Sequence, residues 1–248
     1  MIGAYAVAPA ARRSVPMYVL HIANRNYSSW SLRPWLLLRM LGIPFEERMV
    51  PFHDTAAWER FRALSPNAKV PLLVDGDTVV WESLAIVEYL AERHPGVWPD
   101  DPLARAWARS AAAEMHAGFG ELRTRCSMSC GQRVRLREVP ASLQRDLDRL
   151  SALWRDGLDR FGGPFLAGAA FSAADAFFAP VAFRLQGYGL SLADPQAEAY
   201  AQRLLQLEPM RQWYEQALAE DFRDLPHDEE ITTWGTVVED LRVPPAAG

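Results

Sequence analysis

The sequence predicts an α+β chain of two domains, a small α/β unit followed by an all-helical one. Three observations carry this. Residues 65–94, SPNAKVPLLVDGDTVVWESLAIVEYLAERH, read as strand, turn, strand, helix. Upstream, residues 18–64 alternate short β-prone apolar runs with runs at helical spacing. Beyond the proline-rich Trp98-Pro99-Asp100-Asp101-Pro102, the composition turns to alanine- and leucine-rich helical sequence and no strand pattern recurs. The expected organisation is a disordered extension at 1–16 with Met17 as a candidate start, an α/β domain at 17–96, a linker at 97–102, a helical domain at 103–222 and an acidic tail at 223–248.

The elements follow in order. Tyr18 to Ala23 (YVLHIA) is a compact apolar strand. The polar loop Asn24 to Ser29 leads into a helix from about Ser31 to Leu41, in which Pro34 is acceptable because the first turn loses no helical partner. Gly42 stands where a helix ends in a left-handed residue. Phe45 to Val50 gives a second strand and Thr55 to Leu64 a second helix carrying Trp58 and Phe61. Leu72–Val74 and Thr78–Val80 flank Asp75-Gly76-Asp77, where glycine accepts the positive φ of a hairpin turn. Pro71 lacks an amide hydrogen and belongs at a strand start, and Val70–Pro71 is a candidate cis peptide. Ser83 stands where a helix N-cap is expected, ahead of Ile86, Val87, Tyr89 and Leu90.

In the second half, Leu103–Leu122, Ala141–Phe161 and Ser172–Phe183 read as helices, followed by Gln196–Leu207 and Met210–Asp221. Ser172 and Asp175 are spaced to cap the third of these reciprocally, a folding role. The last 28 residues, counted from Asp221, carry seven acidic residues against Arg223 and Arg242 and read as a tail packed loosely over the helical domain.

Composition bounds the function. At 248 residues, half of them hydrophobic and 23% charged, the chain can bury a sizeable core. A formal charge of −5 argues against nucleic acid as a partner. No apolar run approaches the roughly 18 residues of a membrane span, and the first residues lack the pattern of a signal peptide. A cytoplasmic location and no membrane partner are expected. The two cysteines, Cys126 and Cys130, have no His/Cys cluster beside them and read as buried or idle thiols, with no metal site implied.

The run V-P-x-L, a D-G turn and E-S at a helix start resembles the glutathione-binding half of cytosolic glutathione transferases. The order β-α-β-α-β-β-α over 17–94 is that of a thioredoxin-like domain, and Gly168 to Asp175 (GAAFSAAD) is similar to the G-x-x-x-S-x-A-D segment of the same family. The resemblance covers about residues 17–222 and implies glutathione as co-substrate, a small hydrophobic electrophile as second substrate, a role in detoxification and a homodimer. By the same resemblance, the main chain of Val70 beside Pro71 pairs with the cysteinyl backbone of glutathione, and Glu82 and Ser83 hold its γ-glutamyl end. A helix N-terminus with free amides suits that carboxylate. Lys69 is placed to meet the glycyl carboxylate.

Glutathione chemistry needs a thiolate, and a free thiol ionises only near pH 8.5. A hydroxyl at a helix N-terminus lowers that value through its hydrogen bond and the positive helix end. Ser28-Ser29-Trp30-Ser31-Leu32-Arg33 looks like the S-S-C-S-W-R signature of the zeta class. Carried over, Ser28 is the thiol-activating hydroxyl, Ser29 a second contact and Arg33 structural. Tyr27 is a rival activator, since many transferases use a tyrosine after the first strand. Trp30 replaces the signature cysteine and Leu32 the tryptophan. This weighs against a thiol reductase or peroxidase, and against maleylacetoacetate isomerase activity. Met115, His116, Phe119 and Arg123 fall on one broad helical face, which in this architecture lines the electrophile pocket; with Tyr27 and Trp30 they are the expected substrate contacts. A transferase-like scaffold that binds without turnover is the alternative from outside the enzymes.

Overall fold

The computed structural model describes residues 18–244; the expected extension at 1–16 lies outside them. The first domain runs β1 (Tyr18–Ile22), α1 (Ser29–Met40), β2 (Phe45–Met49), α2 (Thr55–Leu64), β3 (Leu72–Asp75), β4 (Thr78–Trp81) and α3 (Ser83–Ala91). Its sheet has the order β2-β1-β3-β4, with β1 parallel to β2 and antiparallel to β3. The hairpin between β3 and β4 turns at Gly76, whose φ is +57°, and Asp75 pairs with Thr78. The Val70–Pro71 peptide is cis.

Helix α1 begins two residues before the expected start. Pro34 therefore lies inside it, and the Trp30 carbonyl has no amide four residues on. The linker region is not a loose connection: Val97 and Trp98 are buried, and the Val97 carbonyl accepts from Ala173 N–H at 2.8 Å.

The second domain contains α4 (Pro102–Ala117), α5 (Gly120–Arg125), β5 (Gln132–Leu136), α6 (Ala141–Phe161), α7 (Ala173–Tyr188), α8 (Pro195–Gln206), α9 (Glu208–Leu218), α10 (Leu225–Trp234) and β6 (Gly235–Asp240). Helix α7 is buried along almost its whole length, so its sequence is apolar on every side and packs between α1, α4 and α8. Asp175 closes the expected capping box, accepting from Ser172 N at 2.9 Å and also from Leu166 N and Tyr200 Oη. Among the described residues no helix is long and apolar enough to cross a membrane.

Two expectations are corrected. The helix read over Leu103–Leu122 breaks at Gly118, where a Cβ would meet the Glu114 carbonyl at 2.8 Å, and Phe119 follows at φ +54°. The acidic tail is not a loose appendage. Its residues form α10 and β6, and β6 pairs antiparallel with β5 around a register shift at Arg133/Val134. Neither strand was legible because each is short, β5 carries arginine at alternate positions, β6 ends in adjacent acidic residues, and each is completed only by its distant partner.

Candidate functional site

The site is built at the seam between the two domains. On the first domain, Asn67 organises the approach to β3. Its amide donates to Glu82 Oε1 at 3.0 Å, and its carbonyl oxygen accepts from Lys69 N at 3.0 Å and Ser65 Oγ at 3.2 Å. Asn67 was missed in the sequence, although Pro66-Asn67 before Lys69 is a turn signal. Lys69 is exposed, Val70 half-buried and Pro71 buried.

Glu82 rather than Ser83 is the N-cap of α3, and it sits at φ +69° and ψ +131°. That region is disfavoured for a residue with a Cβ by about 1–3 kcal/mol and is held by its surroundings. Neither Glu82 nor Ser83 makes a side-chain cap bond. The Ser83 hydroxyl is fully buried in the first turn of α3 and has no hydrogen-bond partner, so this helix start offers free amides and a free hydroxyl together.

The start of α1 is likewise uncapped by any side chain. Ser28 Oγ turns inward and donates to Ser31 Oγ at 2.7 Å, and Ser31 Oγ also accepts from Ala23 N at 3.3 Å. Ser29 points the other way, into a cavity of about 610 Å³, where its oxygen accepts from Arg184 Nη2 at 3.3 Å. Ser29, not Ser28, is thus the hydroxyl that meets this cavity.

Tyr27 also reaches the cavity wall, but its phenol is occupied. It donates to Asp228 Oδ1 at 3.1 Å and accepts from Arg242 Nη1 at 2.6 Å and Asp224 N at 3.4 Å. Burial raises its pKa further above the ordinary phenol value. The rival activator is a fastening point for the C-terminal segment.

Trp30 lines the cavity and is packed among cationic and aromatic side chains. Arg33 lies 4.0 Å over its ring and Arg123 4.8 Å, and the His116 ring meets it edge-on at 5.2 Å. Arg33 is fully buried against Phe177, its Nε and Nη1 have no partner, and burial pulls its pKa well below the usual arginine value.

Of the four residues expected on one helical face, the structure brings two to the site. Arg123 lines the cavity, and its Nη1 donates to the His116 and Gly118 carbonyls at the end of α4. His116 reaches Trp30, and burial lowers its pKa. Met115 and Phe119 are corrected: both are core residues, with Phe119 edge-on to Phe178. Met115 continues the buried face of Ala104, Ala108, Ala111 and Ala112 on α4, and for Phe119 the break at Gly118 is the reason, since spacing counted across it no longer defines a face.

The far wall was not foreseen. Arg184 comes from α7, and His227, Glu230, Thr233 and Trp234 come from α10. The aromatic–cationic lining gives room and polarity for a small organic molecule.

Comparison with known proteins identifies relatives. Family models described as glutathione S-transferase N-terminal domain and glutathione S-transferase C-terminal domain match residues 27–93 and 133–216. The chain is 36% identical over 106 residues to a probable maleylacetoacetate isomerase of Caenorhabditis elegans, 42% of this chain and about half, 49%, of that relative. It is 33% identical over 163 residues to the glutathione S-transferase-like protein OpS6 of Beauveria bassiana, 59% of this chain and 72% of the relative. A glutathione transferase homologue from Burkholderia, solved with bound glutathione, superposes with a TM-score of 0.59 at 24% identity, covering 81% of this chain and 97% of that one. At that identity the likeness is one of fold.

Proposed function

The chain belongs to the glutathione S-transferase family, and from that premise we propose that it is a glutathione-dependent transferase or isomerase acting on a small electrophile in the cavity beside Ser29. One observation carries this reading: the fully buried, unpartnered Ser83 hydroxyl at the uncapped start of α3, beneath the conformationally restrained Glu82. A buried hydroxyl without a partner costs about 1–3 kcal/mol, and an incoming carboxylate would supply that partner. Lys69, on the loop before β3 that Asn67 ties to Glu82 at the start of α3, is exposed for a second carboxylate, as a γ-glutamyl tripeptide requires. With the thiol at the start of α1, its proton leaves to solvent. The sulfur then forms a bond to the electrophilic carbon, and the leaving group departs with its electron pair. In the isomerase variant the sulfur instead adds to one carbon of a conjugated double bond, whose electron pair moves onto the conjugated acceptor; after rotation about the former double bond the pair returns and the thiolate is expelled.

The cavity lining refines the electrophile. Trp30 and Trp234 suit an apolar body, while Arg123 at the same wall suits a polar or anionic substituent, so the partner is amphiphilic rather than purely hydrophobic. The reductase alternative has no thiol to use: Trp30 fills the cysteine position, and burial pushes Cys126 up to about 12 and Cys130 higher still. A cytoplasmic homodimer is the expected setting.

Calorimetry on Ser83→Ala tests the reading. Glutathione binding should weaken by about 1–3 kcal/mol, as for loss of a charge-assisted hydrogen bond. Unchanged affinity would remove the γ-glutamyl site from α3.

A further inference from the structure

Arg184 is a cation in an unusual setting. It stands in the middle of the buried helix α7, 6% exposed, and its hydrogen bonds run to the Cys126 carbonyl at 2.9 Å, the Pro180 carbonyl at 3.3 Å and Ser29 Oγ at 3.3 Å. None goes to a carboxylate. The groups that face it from its neighbours are Arg123 from α5, Cys126 and Cys130 from the segment after α5, Tyr188 from its own helix and Arg33 from α1. The thiols and the phenol are held neutral by burial, and the remaining groups are two further cations, Arg123 and Arg33. Tyr27, His227 and Glu230 reach the same cavity from its other walls. A buried charge without a counter-charge is costly, and burial pulls the guanidinium down to about 10. Stability alone gives no reason to keep it there.

The hydrogen bond to Ser29 supplies one. A hydroxyl whose oxygen accepts from a guanidinium turns its own proton away from that donor, and Ser29 opens on the cavity. Polarisation by the cation makes it a stronger donor. Ser28 differs, since its hydroxyl is directed to Ser31.

We propose that Arg184 is a positioning residue that fixes Ser29 as the hydrogen-bond donor to the thiolate of bound glutathione and supplies the counter-charge of that thiolate across the domain seam. The arrangement rests on the transferase reading above. It makes thiol activation a joint property of two domains, with the hydroxyl on α1 and the cation on α7. The proton lost by the thiol goes to solvent, and no further reactant is needed.

The experiment titrates thiolate absorbance near 240 nm for glutathione bound to the full chain, in the wild type, Arg184→Gln, Arg184→Lys, Ser29→Ala and Ser28→Ala. Binding of S-methylglutathione, which has no thiol proton to lose, is measured in parallel. Arg184→Gln and Ser29→Ala should each raise the thiol pKa by about one unit, a roughly tenfold loss of thiolate at neutral pH. The Arg184→Gln/Ser29→Ala double variant should add little to the larger single shift, because the two groups act through one bond. S-methylglutathione should bind these variants within about threefold of wild type, a spread well under the 1.4 kcal/mol of a tenfold change. Arg184→Lys should lie between wild type and Arg184→Gln, keeping the charge while losing the forked geometry. Should Arg184→Gln fail to fold, the serine pair still decides: a larger shift in Ser28→Ala than in Ser29→Ala overturns the proposal. So does an unmoved titration in a folded Arg184→Gln. A wild type that does not bind S-methylglutathione sinks the transferase reading itself, a different result from a wild type that binds and variants that do not shift.

Discussion

Lys69 shows how much one residue can say. Of the 26 lysine and arginine residues in the chain it is the single lysine, and it stands immediately before the cis Val70–Pro71 peptide. A compact ammonium and a planar guanidinium are not equivalent partners, so the one departure from arginine falls where an exposed carboxylate is expected to dock. Its backbone is set by Asn67, whose side chain also reaches Glu82, and the loop is therefore tied to the start of α3. The lone side-chain amine makes a direct test. Acetylation followed by peptide mass spectrometry reports on Lys69 without interference from other lysines. Saturating glutathione should slow its modification several-fold, and Lys69→Gln should weaken glutathione roughly two- to fivefold, the range of an exposed ion pair. Equal acetylation rates with and without glutathione would take Lys69 out of the site.

At the scale of elements, α10 and β6 form a strap over the cavity. Gly131 allows it: a Cβ there would collide with the Arg242 side chain, and the Gly131 carbonyl accepts from Leu241 N at 2.9 Å. Arg242 is the clasp. Its side chain is 2% exposed and binds Asp240 through Nε at 2.8 Å and Nη2 at 2.6 Å, Asp228 at 3.1 Å and the Tyr27 hydroxyl at 2.6 Å. His227 stacks on Tyr27 at 5.0 Å, and Phe222 on His53 at 3.5 Å, which brings the strap onto the first domain. Arg242→Ala should destabilise the strap by about 1–3 kcal/mol, between the worth of exposed and fully buried pairs. Hydrogen exchange should then rise across residues 225–240 while β1 and β3 keep their protection. Exchange unchanged in α10 and β6 would mean that strand pairing alone holds the strap.

At the scale of the whole molecule, the two domains share one core rather than touching at a hinge. Helix α1 packs on α7, Trp35 meets Trp213 edge-on at 5.0 Å, and the Arg25 carbonyl accepts from Trp213 Nε1 at 3.0 Å. Arg25 also pairs with Glu47, and Asn26 Nδ2 donates to the Ala217 carbonyl, so the loop that presents Ser28 and Ser29 is braced from both domains. A site on such a seam keeps its geometry without either domain being rigid alone. The expected homodimer belongs to this scale. Light scattering at micromolar concentration should give a mass near twice 27.9 kDa, and a clean monomer would count against it.

The sequence by itself determined the elements whose signals are local. Gly76 in its turn, the hairpin of β3 and β4 around it, α2 and α6 at their observed ends, and the capping box of Ser172 and Asp175 were all legible, because each is set by neighbours within a few residues. Tertiary structure decided the rest. Which serine faces the cavity depends on where the first turn of α1 begins. The fate of Tyr27 depends on Arg242, 215 residues away, and the cavity wall on a strap whose strand exists only because β5 lies beside it. Arg184 reads in sequence as one charge in an apolar helix; only packing α7 against α1 puts its guanidinium on Ser29. Local propensity is read along the chain, whereas a site at a seam is made by contacts that no window of sequence contains.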